Sequence, residues 1–195
     1  PPRPRCAVAG LPGSAAHGQR HPTTFAEVAA DERGIDFDLI VVRHGDTGEV
    51  VRGGGNGGSR ALQTGGVAVH RASEAVVEDA KRVVAGLLEA SADDVVLDVD
   101  SGVFSVAGSP TVHVGWADVA AEAARIGEQL AEEVDLQPPG ATFPFGVHAS
   151  VVEVDRDTGQ VSILRHVACD DAGIIVNPMI VDGQVHGGIA AGVRQ

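Results

Sequence analysis

Aromatic side chains are scarce: five phenylalanines, one tryptophan and no tyrosine in 195 residues. So few rings leave no platform for stacking nucleic-acid bases, and they put the core on small aliphatic side chains that each bury less area. Basic residues are also few. Lys and Arg number 14 against 27 Asp and Glu, and 14 − 27 gives the formal net charge of −13. That balance repels phosphate backbones and anionic membrane surfaces, which excludes nucleic-acid binding as the main task. Only Cys6 and Cys169 are present, far apart and without a C-x-x-C pair. A disulfide scaffold is excluded, and the two read as free thiols in a reducing, cytoplasmic setting. No apolar run reaches the ~18 residues of a membrane helix, so membrane insertion is not expected. The opening PPRPRCAVAGLPGSAA lacks the apolar centre of a signal peptide. The chain does not start with Met, and it runs to Gln195 inside an apolar-periodic segment with no C-cap. Both ends read as cut.

What is present suffices for a globular core: 44% hydrophobic and 21% charged residues, in one ordinary domain or two small ones. Residues 1–9 are Pro-rich and read as a loose arm. Thr24 and Glu27 fit a capping box before a helix that carries Phe25, Val28 and Ala29 and stops at Gly34. Leu39–Val42 is a short buried strand. After a Gly-rich loop, residues 66–88 carry helical periodicity in Val69, Val76, Ala80, Val83, Val84, Leu87 and Leu88. A break near Ala72-Ser73 and a Glu78–Arg82 pair are expected there. DDVVLDVDSGVFSVAGSP forms two strands around Asp100-Ser101-Gly102, and a helix follows from Trp116 to Arg125. The stretch 10–135 thus makes one α+β region, residues 136–146 a linker, and 147–195 a hairpin plus helix. That hairpin turns at Asp155–Gly159, and Asp182 caps the last helix, whose Gly187 and Gly188 suggest close packing. The expected class is α+β: two small layered subdomains of mixed sheet with packed helices.

Few places could carry chemistry. The loop RGGGNGG, residues 52–58, is dense in glycine and runs into Ser59 and Arg60. Such a loop is either a flexible surface connection or an anion nest of inward backbone N–H groups, with a hydroxyl and a guanidinium as further phosphate donors. It fits neither the Walker pattern nor the dinucleotide fingerprint. His17 and His21 are four apart, as metal ligands on a helix would be, but they fall in a loop with no third ligand at a sensible interval. Asp170-Asp171 could serve as acid and base or simply form a turn. No G-x-S-x-G elbow is present. Gln184 sits in the first turn of the last helix, where its amide either meets solvent or pairs with a heterocycle. These places alone do not identify a reaction.

Three segments change that. SAAHGQRHPTTFAEVAADERGIDFDLIVVRHGDT, GGGNGGSRALQTGGVAVHRAS and FPFGVHASVVEVDRDTGQVSILRHVACDDAGIIVNPMIVDGQVHGGIAAGVRQ resemble, in this order, the molybdenum-cofactor-binding subunit of the xanthine dehydrogenase/aldehyde oxidase family, in the form of the aerobic carbon monoxide dehydrogenase large subunit. The resemblance implies a fragment of a domain that binds molybdopterin, in its cytosine dinucleotide form. It further implies pterin and phosphate contacts at Gly18 and Gln19, at the loop Asn56, Gly57, Gly58, Ser59, Arg60 and Ala61, and at Gln184. The family writes Gly-Gln-Gly-His-Glu-Thr where this chain has Gly18-Gln19-Arg20-His21-Pro22-Thr23. Asn56, Gly57 and Ala61 replace a Thr, a Tyr and a Ser of its phosphate loop. The family's molybdenum takes its ligands from the cofactor and its catalytic glutamate lies in a Gly-Glu motif beyond Gln195, so no metal ligand and no catalytic residue is expected here. In the intact enzyme, a small substrate (CO, an aldehyde or a heterocycle) would be oxidised and iron–sulfur and FAD subunits would take the electrons; this chain alone would be inactive. The rival readings are a non-catalytic binding or assembly remnant and a phosphate- or nucleotide-binding domain.

Overall fold

The computed structural model describes residues 8–50, 52–137 and 140–194. The first layer is built on α1 (His21–Arg33). The capping-box reading placed its start at Thr24, but it opens three residues earlier. Pro22 occupies the first turn, where its missing N–H costs nothing, and the Arg20 carbonyl accepts from the Thr23 and Thr24 amides at 3.0 and 3.3 Å. Gly34 ends the helix in the left-handed conformation at φ 59°, as expected. Phe25, Ala26 and Ala29 are buried, and the last two pack on Ile40 of β2 (Ile40–Val42). Of the strand read as buried, Ile40 alone is: Val41 is 46% exposed. β2 pairs in parallel with β1 (Val8–Gly10), so the chain is a strand from Val8 onward; the rest of the arm, with Cys6, lies outside the described residues.

The long helix α2 (Val67–Leu88) is continuous and follows a wide turn over Ala61–Gly66. No break occurs at Ser73, because that side chain is fully buried in the apolar stripe rather than free to cap a new N-terminus. Glu78 pairs with Lys81 (2.7 Å) and Arg82 with Asp79, so the expected Glu78–Arg82 pair gives way to two three-residue spacings. β3 (Val95–Asp98), β4 (Val103–Val106) and β5 (Ser109–Gly115) form an antiparallel sheet in that order. The sequence reading found the first two strands and missed β5. It is a mostly exposed edge without apolar alternation, and an edge is where a strand tolerates Pro110. α3 (Trp116–Ile126) closes this layer. Val77, Ala80, Val83 and Val84 of α2 meet Val95, Phe104, Val119 and Ala123 in the main core. The Phe104 and Trp116 rings lie edge to face at 4.9 Å.

The two layers are joined by α2 and by one seam. The Trp116 indole N–H donates to the Arg33 carbonyl at 2.7 Å. Beside it Gly102 (φ 66°) approaches Gly34 so closely that a Cβ there would lie 2.2 Å from the Gly34 oxygen.

β6 (Phe145–Val154) and β7 (Val161–Asp171) make the expected hairpin, with Gly159 at φ 74° in its turn. α4 (Pro178–Arg194) begins four residues before Asp182, the predicted cap. Asn177 is the working cap: its Oδ1 accepts the Ile180 N–H at 3.0 Å, and its amide donates to Glu27 of α1 at 2.6 Å. Gln184 is therefore in the second turn, not the first. The close packing expected at Gly187 and Gly188 is not present, since nothing lies within 4 Å of a Cβ at either. Among the described residues, four α-helices with small parallel and antiparallel sheets make an α+β fold. No helix among the described residues is long and apolar enough to cross a membrane.

Candidate cofactor site

Residues 11–20, which connect β1 to α1, and the Gly-rich loop from Arg52 to Arg60 are zipped together. A Cβ on Gly53 would sit 2.5 Å from the Gly13 oxygen, and that same oxygen accepts the Gly55 N–H at 3.3 Å. Only glycine permits this approach. At the other end of the seam the Asn56 side-chain amide lies 3.1 Å from His17 Nδ1. The His17 backbone N–H donates to the Gln19 side-chain oxygen, and the Gln19 NH2 has no acceptor among the described residues. The structure thus places the Gly18-Gln19 segment beside Asn56 of the Gly-rich loop.

The loop's own geometry is unusual. Gly58 and Ser59 take successive left-handed conformations, φ 79° and 55°. For a serine this costs about 1–2 kcal/mol, and such strain is concentrated at functional sites. Nothing lies within 4 Å of a Cβ on Gly55, Gly57 or Gly58, so bare backbone faces open space. Arg60 folds back over Gly54, with no room for a side chain beneath its guanidinium. Ala61 is half-buried and opens the wide turn into α2.

Arg20 and Arg60 have no carboxylate partner among the described residues, whereas Arg52 is paired with Asp135 at 3.1 Å. His21 is buried against Phe25. Burial first, then the neighbouring His44 and His17 charges, holds its pKa below the ordinary imidazole value. Its Nδ1 and the Ser14 hydroxyl are buried without a hydrogen-bond partner among the described residues. Open backbone, a hydroxyl, two unpaired guanidiniums and a free amide make a donor set suited to a phosphate-bearing anion.

Gln184 is the exception. It is exposed on α4 and makes no side-chain hydrogen bond among the described residues. Sequence reasoning overlooked Gly13 and treated His17 only as a metal-ligand candidate with His21. The signal was available in the Gly-Ser of LPGS and in the position of His17 directly before Gly18-Gln19. Asp171 is a turn former that accepts the Gly173 N–H at 2.8 Å, and Asp170 is bonded to His148 at 2.9 Å. Glu32, His70 and Glu74 converge between α1 and α2, but the carboxylates already face both imidazole nitrogens, at 2.9 and 3.6 Å. That cluster is an ion-pair bracket between the helices.

Residues 8–195 match the model of the molybdopterin cofactor-binding domain. The chain is 36% identical over 185 residues to the carbon monoxide dehydrogenase large chain of Hydrogenophaga pseudoflava, covering 92% of this chain and 23% of that one. Its fold superposes on the Cu,Mo-CO dehydrogenase with TM-score 0.81 at 34% identity, over 95% of this chain and 24% of the other. The quinoline 2-oxidoreductase of Pseudomonas putida 86 gives TM-score 0.81 at 34% identity, over 96% and 25%. This chain therefore spans about a quarter of the length of the proteins it matches. With a family match across nearly its whole length, the chain belongs to the molybdopterin cofactor-binding domain family.

Proposed function

We propose that this chain is the part of a molybdenum hydroxylase large subunit that holds molybdopterin in its cytosine dinucleotide form. The observation that carries the proposal is the junction of the Gly18-Gln19 and Gly-rich loops, with two unpaired arginines in a chain of net charge −13. Asn56, Gly57 and Gly58 would present backbone N–H groups to the cofactor's phosphates, and Ser59 and Arg60 would add charge-assisted bonds. Ala61 would start the turn that points the loop, Gln19 would donate its free NH2, and Gln184 would bond a pterin edge. When bound, the cofactor supplies the redox chemistry by which a small substrate (CO, an aldehyde or a heterocycle) is oxidised with water-derived oxygen. The protein's part is to bind, orient and electrostatically hold it. Iron–sulfur and FAD subunits would receive the electrons, in a cytoplasmic hetero-oligomer.

Acid hydrolysis of protein purified from its native host tests the proposal. Molybdenum and CMP in a ratio of one per chain are expected, and an Arg60→Ala variant should lose most of both. Exposed Gln184, held by neither loop, favours one rival, a non-catalytic remnant. A folded native protein devoid of molybdenum and CMP would select it. Organic phosphate without molybdenum would point instead to a nucleotide-binding domain.

A further inference from the structure

Between Phe145 and Val151 the β6–β7 ribbon is amphipathic in a way its surroundings do not use. The register sets Val147 opposite Cys169 and Ala149 opposite Val167, so Phe145, Val147, Ala149, Val151, Val167 and Cys169 share one face. Behind this stretch the other face is polar and internally bonded, His148 to Asp170 at 2.9 Å and Ser150 to His166 at 2.7 Å, whereas beyond the bulge at Val151/Val152 it carries Val152, Ile163, Val154 and Val161. Yet the apolar face is bare. Phe145 is 79% exposed, Val147 72%, Val151 56% and Val167 50%. An isolated two-stranded ribbon is marginal in water, and a contiguous apolar patch marks a surface that is covered.

We infer that this face is the seat of a further apolar, uncharged segment of the same large-subunit polypeptide, outside residues 1–195. The inference rests on the large-subunit reading above. Two observations choose this occupant over a second copy of the chain. The relatives that match this stretch at 34–36% identity are about four times its length, so each has ample further chain to supply the segment. The stripe is also small. Seven strand residues span about 20 Å and two strands about 10 Å, a footprint of a few hundred Å2 against the roughly 800 Å2 per partner of a stable association. A tethered segment needs no such area, because its effective concentration is already about millimolar. The chemistry of the occupant follows from the ends of the stripe. Arg165 opposite Val151 and Asp171 opposite Phe145 bound it, and no charge lies between them on that face.

Cys169 reports on the face directly, being exposed and free. Maleimide labelling, read by peptide mapping to separate it from Cys6, compares the 195-residue chain with the large subunit purified from its native host. Cys169 should label at the rate of a free thiol in the first and about tenfold or more slowly in the second. Val147→Lys should leave the melting of the 195-residue chain unchanged and restore Cys169 labelling in the native subunit. Equal labelling rates, or a native protein no longer than this chain, would overturn the inference. A concentration-dependent dimer that protects Cys169 in sedimentation and labelling of the chain alone would replace it with a second copy. Molybdenum measured on the same native sample keeps the two readings apart. Protected Cys169 without molybdenum retains the covered face and removes the cofactor, and reactive Cys169 with molybdenum does the reverse.

Discussion

Burial at the start of α1 moves the titration of His21 away from that of the unfolded chain. Its folded pKa is lowered, by desolvation first and by His44 and His17 second. Above the ordinary value of about 6.5 both states are neutral there and stability does not respond. As pH falls through that value the unfolded chain takes a proton that the folded chain refuses, so stability drops until the lowered folded pKa is reached. Thermal melts between about pH 7.5 and pH 5 should show this loss, with a shallower slope in His21→Leu than in the parent. A second residue-scale outcome concerns Gly54. A Cβ there would fall 1.6 Å from Arg60 Nη2, the far end of a flexible side chain. Gly54→Ala should therefore displace the guanidinium at little cost in stability, a melting shift within about 2 °C. Pyrophosphate affinity measured by calorimetry should weaken several-fold.

At the scale of elements, α2 ends on Glu89, which holds the left-handed cap conformation at φ 51°. A glycine suits that position better, and Glu89→Gly should add about 1 kcal/mol in denaturant unfolding. Phe104→Ala removes a ring with no exposed surface from the main core and should cost about 3–5 kcal/mol by the same measurement. These elements also show what a sequence can carry. α2, α3 and the β6–β7 hairpin were legible because their periodicity and turn residues agree with the packing, as in the Val83–Val84 stripe and at Gly159. β5 was not, because an edge strand exposed on both faces leaves no alternation to read. The start of α4 was missed because Asp182 and Asn177 are both good caps, and only the fold decides which amide needs one. In the site, the glycine run and Gln19 were legible from composition and from the family resemblance. The Gly13–Gly53 contact was not, since a close approach of two backbones has no side-chain signature.

For the whole molecule, the relevant quantity is the pair of arginines without a carboxylate partner among the described residues, Arg20 and Arg60, on a body of net charge −13. Attraction of an anion to the exposed Arg20 and Arg60 is short-ranged and opposed by the rest of the surface. Binding of pyrophosphate should therefore fall steeply as ionic strength rises past about 0.15 M, where the screening length is about 8 Å. A Lys81→Ala change, remote from the site on α2 and paired with Glu78, should leave that salt dependence as it is.

Trp116 is the only indole in the chain, and its N–H is bound to the last carbonyl of α1 while its ring packs on Phe104 of the sheet layer. Its fluorescence is thus a built-in optical gauge of the contact between the two halves. If the halves part before either melts, emission will shift to the red ahead of the loss of helical circular dichroism. If they come apart only on global unfolding, the two signals will coincide.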